Sequence, residues 1–305
     1  TLARDIVGLT LIAADGKAFA PWTPGSHIDL DCGDTGLSRQ YSLCGDPADR
    51  MRLQIAVLKD LQSRGGSAWL HDTLAAGDLL HMRGPRNHFR FDDTAKRAVF
   101  VAGGIGVTPV LAMARQALQL GMDYVFHYSA RSRGHMAFVD ELQALHGYRL
   151  QLHLSGEGTR ADYAALLAAC EAGTQVYACG PQALLQAIES ACDGVQGVTL
   201  KLEYFQAKAA VLDPAKEQAF EIELKDSGLL LTVAADRTVM QTLRAANIDV
   251  QSDCGEGLCG SCEVRVLAGT VDHRDLVLTA TEREQHSKMM VCCSRAIGSR
   301  LVLEL

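Results

Sequence analysis

Three folds in series are expected from this chain: an antiparallel β-barrel, a parallel-sheet α/β domain and an α+β module of the β-grasp type. Three observations carry that expectation. Short alternating strands run to about Thr94, a strand–helix rhythm begins at Lys96, and a glycine- and cysteine-rich segment near the C-terminus lies between further strands. At 305 residues, 48% of them hydrophobic, the chain is long enough for two or three domains with separate cores. The expected boundaries are 1–95 for the barrel, 96–205 for the α/β domain, 206–218 for a linker and 219–305 for the last module.

In the first stretch, strands are expected at 27–31, 39–43 and 51–58, broken by Gly, Pro and Asp, which is the spacing of a small antiparallel barrel. From residue 98 the apolar run Ala-Val-Phe-Val-Ala opens a series of strands at 98–102, 124–128, 150–154, 175–179 and 198–202. Amphipathic segments such as 109–120 separate them, as in a parallel sheet covered by helices. Regularity stops near Phe205, and the stretch containing Asp213-Pro214 reads as a linker. The last module is expected to hold strands at 220–224, 229–233, 263–267 and 300–305, with a helix near 239–246. The chain opens at Thr1 without a methionine, so a few native residues are expected to precede it.

Cys254, Cys259, Cys262 and Cys292 carry the most specific chemical signal. They follow the Cys-x4-Cys-x2-Cys…Cys spacing that holds a plant-type 2Fe-2S cluster. Adjacent Cys292 and Cys293 leave one register to choose. Cys292 is taken because it leaves 29 residues after Cys262, the plant ferredoxin interval. Glycines 255, 257 and 260 suit a loop that must turn backbone N–H groups inward toward sulfur, which requires positive φ and no Cβ. Zinc would prefer two Cys-x2-Cys pairs, and a disulfide framework does not suit a chain in which no leader or membrane-length apolar run is read. A reducing cytoplasm is therefore expected. The remaining cysteines default to buried free thiols, with Cys179 set apart below.

Strand 98–102 runs into Gly103-Gly104-Ile105-Gly106-Val107-Thr108-Pro109. A glycine turn between a parallel strand and a helix lets a pyrophosphate approach the backbone and the helix N-terminus. Thr108 is expected as the N-cap and Pro109 as the first helical residue. The pattern is Gly-x-Gly-x-x-Pro, and the second strand ends in Ser129-Ala130-Arg131-Ser132-Arg133 without an acidic residue for a ribose. A tight connection explains one such turn equally well. A second turn, Cys179-Gly180-Pro181, ends another strand on the same edge and places Cys179 near a hydride-transfer zone, although a small buried strand-end residue explains it too.

In the first domain, Arg39-Gln40-Tyr41-Ser42 offers a cation, a flat ring and a hydroxyl on one strand, with Arg39 and Tyr41 on the same face. Arg39 could hold a phosphate, Tyr41 lie along an isoalloxazine ring and Ser42 add a hydrogen bond; an ordinary edge strand is the plain alternative. Arg64-Gly65-Gly66-Ser67 before a helix start offers a second anion cradle, with Lys59 nearby. A net charge of −7 argues against nucleic acid as a partner. From Ala219 onward, 13 acidic residues against 9 basic ones could help steer a basic partner, and they serve solubility equally well.

With Arg-x-Tyr-Ser, Gly-Gly-Ser, Gly-Gly-Ile-Gly-x-Thr-Pro, Cys-Gly-Pro and the cysteine spacing in this order, the whole chain resembles the phthalate dioxygenase reductase family, including the vanillate demethylase reductases. The resemblance implies an FMN barrel, an NADH domain and a plant-type 2Fe-2S ferredoxin domain in one polypeptide serving a Rieske-type oxygenase. It assigns FMN to Arg39, Tyr41, Ser42, Lys59, Gly66 and Ser67, with Phe205 as an aromatic close to the flavin. NADH falls to Gly104, Thr108, Ser129, Arg131, Cys179 and Gly180, with Thr108 and Cys179 nearest the chemistry. FMN over FAD, and NADH over NADPH, rest on the resemblance; Arg131 and Arg133 could bind a 2′-phosphate. NADH gives up electrons as a pair and a cluster accepts them singly, so a flavin between them is the expected converter. Two rival readings are a reductase for a haem monooxygenase and a non-catalytic iron–sulfur or zinc module.

Overall fold

The computed structural model describes residues 1–60, 65–205, 217–252, 254–258, 260–278 and 280–305. These residues form two compact units, Thr1–Glu203 and Tyr204–Leu305. Residues 206–216 of the expected linker, Arg64 of the expected anion cradle and Cys259 lie outside the described residues. Among the described residues no helix is long and apolar enough to cross a membrane.

The first unit begins with an antiparallel, barrel-like part. Strand β1 (Ile6–Leu11) pairs with β4 (Leu53–Leu58), while β2 (Ser26–Asp31) lies between β3 (Ser38–Ser42) and β5 (Met82–Asn87). Helix α1 (Gly66–Asp72) follows β4. Alternation drives this arrangement: Ile28 and Leu30 of β2 and Leu53, Ile55 and Val57 of β4 point inward to a core that also takes Trp22, Leu43 and Leu70. In the β2–β3 register Tyr41 lies opposite Ile28, Arg39 opposite Leu30 and Ser42 opposite His27. The expected strand at 51–58 starts at Leu53, and β1 and β5 were not anticipated. Pro85 and Gly84 disguise β5, because neither residue type is at home inside a ladder.

The rest of this unit is a five-stranded parallel sheet in the order β10-β9-β6-β7-β8, built from β6 (Arg97–Gly103), β7 (Asp123–Ala130), β8 (Leu150–Leu154), β9 (Gln175–Cys179) and β10 (Thr199–Glu203). Helices α2 (Val107–Gln119), α3 (Val139–His146), α4 (Tyr163–Ala168) and α5 (Gln182–Cys192) connect them. Central β6 is buried from Ala98 through Gly103, which is why it reads as an unbroken apolar run and not as an alternation. Because all five strands are parallel, the carboxyl ends Gly103, Ser129, Cys179 and Glu203 gather on one edge: Gly103 pairs with Ser129, and Cys179 lies between Ala102 and Glu203.

The second unit is a mixed sheet in the order β12-β11-β15-β13-β14, formed by β11 (Phe220–Leu224), β12 (Leu229–Val233), β13 (Glu263–Asp272), β14 (Lys288–Met290) and β15 (Arg295–Leu303). Helix α6 (Val239–Ala245) carries a capping box, Thr238 with Gln241, and α7 (Ala280–Glu284) precedes β14. Strands β13 and β15 extend past the expected 263–267 and start before the expected 300–305. Register shifts near Val266, Ala268 and Thr270 interrupt the period-two pattern there.

Arg295 is 2% exposed and is fully occupied. Its guanidinium donates to the carbonyls of Arg237, Gln218 and Ala234, meets Glu217 at 3.0 Å and lies 5.0 Å over the Phe220 ring. Glu217 also receives both terminal nitrogens of Arg274 at 2.6 and 3.0 Å. Glu217 and Gln218, read from the sequence as linker, are thus tied into the second unit.

Candidate redox site

On the parallel sheet, the two glycine turns meet. A Cβ built on Gly106 would lie 2.3 Å from the Cys179 carbonyl oxygen, one on Gly103 2.6 Å from the Pro181 ring, and one on Gly180 2.9 Å from Gly103 Cα. These three positions leave no room for a side chain because two segments from distant parts of the sequence pack tightly there, backbone against backbone at Gly106 and Gly180 and against the Pro181 ring at Gly103. Gly104 differs: its φ is +54° and the space where a Cβ would stand is open. That is bare backbone presented outward, the geometry a pyrophosphate requires.

Thr108 is not the N-cap. A tight 3-10 turn over Gly104–Gly106 starts the coil early, so α2 begins at Val107, Gly106 occupies the cap, and the Thr108 hydroxyl donates back to the Ile105 carbonyl at 3.0 Å. Pro109 is accordingly the third helical residue, still within the first turn, where a missing N–H costs nothing. Ser129 Oγ lies 3.3 Å from the Tyr163 hydroxyl. Arg131 is exposed, whereas Arg133 is held by Asp140 and Gln143 at 2.7 Å each. Cys179 is fully buried, and that burial raises its thiol well above the ordinary range.

One residue was missed. Glu203 ends β10 beside Cys179, and its carboxylate oxygen accepts the Ser42 hydroxyl of β3 at 3.4 Å. This hydrogen bond joins the barrel strand expected to hold the flavin to the sheet edge expected to hold the nicotinamide. Loss of surrounding water pushes the Glu203 carboxyl up to about 8, only partly opposed by the Ser42 hydroxyl. The available signal was its place, an acid closing the last parallel strand on the same edge as Gly103 and Cys179.

Around β3, Arg39 donates to the Ser38 carbonyl and packs against the start of α1, where a Cβ on Gly66 would meet Arg39 Cγ at 3.0 Å. Gly65 has φ +103°, leading the chain into α1 in a conformation suited to glycine. Ser67 is buried, and its hydroxyl accepts the Asp60 N–H at 3.1 Å. Burial raises the Tyr41 phenol. Lys59 is engaged with both carboxylate oxygens of Asp72 at 2.7 Å. Arg39, Tyr41, Gly66 and Ser67 thus cluster along β3 and the start of α1, with Ser42 turned toward Glu203. Phe205, 39% exposed, belongs to the second unit.

In the second unit the cysteine loop aims its amides at sulfur. Cys254 Sγ accepts the N–H groups of Glu256 and Leu258 at 3.3 Å each, and Cys292 Sγ accepts that of Gly257 at 3.1 Å. Gly255, Gly257 and Gly260 have φ of +68°, +74° and +76°. The thiols of Cys254, Cys262 and Cys293 lie against that of Cys292; hydrogen bonding with Cys292 lowers the Cys262 thiol, and these contacts raise that of Cys292. The Cys293 thiol also lies 3.8 Å from the Met290 carbonyl. Thiolates converging under inward N–H groups suit an iron–sulfur cluster, whose sulfurs accumulate negative charge.

Residues 222–296 match the 2Fe-2S iron-sulfur cluster binding domain, and residues 80–198 match the N-terminal domain of dimethylamine monooxygenase subunit DmmA-like proteins. Phenoxybenzoate dioxygenase subunit beta of Ectopseudomonas oleovorans is 45% identical over 304 residues, 99% of this chain and 94% of that protein. A solved structure of phthalate dioxygenase reductase, described as modular for electron transfer from pyridine nucleotides to 2Fe-2S, matches with a TM-score of 0.69 at 35% identity, covering 100% of this chain and 95% of that one. Full-length CYP116B46 from Tepidiphilus thermophilus matches with a TM-score of 0.91 at 52% identity, and there the chain spans only 40% of that protein's length. A barrel, a nucleotide-type parallel sheet and a cluster module define an iron–sulfur oxidoreductase. The chain belongs to the phthalate dioxygenase reductase family.

Proposed function

We propose that this chain is an NADH-dependent reductase that passes electrons through FMN to a 2Fe-2S cluster and on to a Rieske-type oxygenase. The observation that carries the reading is the Ser42–Glu203 hydrogen bond, which brings the candidate flavin strand and the candidate nicotinamide edge into direct contact. When bound, FMN supplies an acceptor of electron pairs that releases them singly, and the cluster supplies a one-electron relay. Arg39, Gly66 and Ser67 would hold the flavin phosphate, with Lys59 available if it leaves Asp72, and Tyr41 and Ser42 would fix the ring. Phe205 is assigned to the flavin on resemblance alone. Gly104, Thr108, Ser129, Arg131 and Gly180 would seat the dinucleotide, and Cys179 and Glu203 would line the nicotinamide end. The ion pair that occupies Arg133 supports NADH over NADPH, because it takes one of two cations from a 2′-phosphate. Cys254, Cys259, Cys262 and Cys292 would ligate the cluster.

Released flavin, iron and sulfide content, and turnover with NADH against NADPH test the cofactors. Cys259→Ser is expected to leave NADH-dependent flavin bleaching intact and to abolish one-electron delivery; undiminished delivery would overturn the route. A second reading is an acceptor of another kind, such as a haem monooxygenase, on the same polypeptide. It is favoured by the 52% identity to CYP116B46, in which the matching stretch is 40% of the chain. Reduction rates of an isolated Rieske oxygenase and an isolated haem monooxygenase separate the two.

A further inference from the structure

We infer that Asp275 is a positioning residue for the cysteine loop, acting through Gly257 to hold an N–H group on the Cys292 sulfur. The inference rests on the reading that Cys292 ligates a 2Fe-2S cluster. The Asp275 side chain is wholly buried, and a carboxyl taken out of water is costly unless its hydrogen bonds repay the desolvation. One oxygen, Oδ1, accepts the N–H groups of Val277 at 3.0 Å and Leu278 at 2.8 Å, folding the chain into a turn. That turn directs the Leu276 N–H to the Gly257 carbonyl at 2.9 Å. Gly257 in turn donates its own N–H to Cys292 Sγ at 3.1 Å. A Cβ on Gly257 would lie 3.1 Å from Asp275 Cα and 2.6 Å from Cys293 Sγ, so the turn and the loop are in contact with no slack between them.

The surroundings of Asp275 fit a fixed support. Arg283 donates to its carbonyl at 2.7 Å. Its second oxygen lies 3.7 Å from His273 Nδ1, and His273 stacks on His286 with centroids 5.5 Å apart and planes 13° from parallel. His286 is itself anchored, accepting the Val271 N–H at 3.2 Å. Among the described residues neither ring nitrogen of His273 has a hydrogen-bond partner. Asp275 Oδ2 is likewise buried without a hydrogen-bond partner, so among the described residues the side chain's hydrogen bonds are those to Oδ1. An N–H aimed at a cluster sulfur stabilises the more negative, reduced form, so loss of this alignment makes reduction harder.

The test compares Asp275→Asn with Asp275→Ala in the full, cluster-loaded chain by spectroelectrochemical titration of the cluster. Both variants remove whatever charge the carboxyl carries. Only Asn keeps an oxygen for Val277 and Leu278, so the difference between the variants isolates the turn from the charge. The Ala variant is expected to show a reduction equilibrium about tenfold less favourable than the Asn variant, or 59 mV for a one-electron couple. An Ala variant that takes up no cluster beside an Asn variant that loads normally also supports the inference. Coincident potentials overturn it, as does failure of both variants to load, because Asn preserves the bonds in question. Wild-type chain without iron and sulfide would instead sink the underlying ligand assignment.

Discussion

The two glycine-rich turns of the nucleotide sheet and the glycine-rich cysteine loop serve similar ends by opposite means. In the first, Gly103, Gly106 and Gly180 lie outside the left-handed region and are glycines because atoms of a remote segment occupy the space of a side chain: backbone at Gly106 and Gly180, the Pro181 ring at Gly103. In the second, Gly255 and Gly260 are glycines because φ is positive; a Cβ on Gly255 meets open space and one on Gly260 only a Val277 methyl at 3.2 Å. Gly257 is subject to both constraints. A steric glycine reports contact between remote segments, whereas a conformational glycine reports only its own turn.

Substitutions should break the comparison in that order. Gly106→Ala forces a methyl onto a backbone carbonyl and is expected to destabilise the first unit by about 3 kcal/mol or more. Denaturant unfolding followed by first-unit fluorescence, with the 2Fe-2S spectrum as internal control, measures this loss. Gly257→Ala meets a thiol as well as an unfavourable φ, and should abolish cluster loading, read as iron and sulfide per chain, while leaving flavin content unchanged. Gly104→Ala and Gly255→Ala pay only for positive φ, about 1 kcal/mol each. Equal losses from Gly104→Ala and Gly106→Ala would erase the distinction.

A pH experiment sharpens it from the other side, because burial, only partly opposed by the Ser42 hydrogen bond, also moves Glu203. Its folded carboxyl is raised to about 8 from an ordinary 4.5, so the folded chain holds a proton that the unfolded chain releases. The stability contribution is fully present below the ordinary carboxyl value and is lost as pH rises through about 8. Thermal unfolding of flavin-free chain at about pH 5 to 9 should show this decline in wild type and a flatter profile in Glu203→Gln.

What could be read from the sequence follows the same division. The positive-φ loop and the apolar run of β6 are local patterns, and the structure repeats them nearly residue for residue. The place of Glu203 at the end of the last parallel strand was legible, but its hydrogen bond was not, because its partner Ser42 lies 161 positions away. Asp275 looks like any acid in a charged stretch, and only the packed wall behind the loop reveals that it is buried. Thr108 misled because serine and threonine caps are a good rule that a preceding 3-10 turn overrides.

The pocket of contacts around Arg295 has a practical corollary for anyone transplanting the C-terminal module onto another electron donor. Cutting the gene just before Ala219 would discard Glu217 and Gln218 and leave a guanidinium deep inside the graft without its counter-ion. Starting the excised piece at or before Glu217 keeps that neutralisation within the fragment, so the donor attached upstream can be exchanged without touching the interior of the recipient.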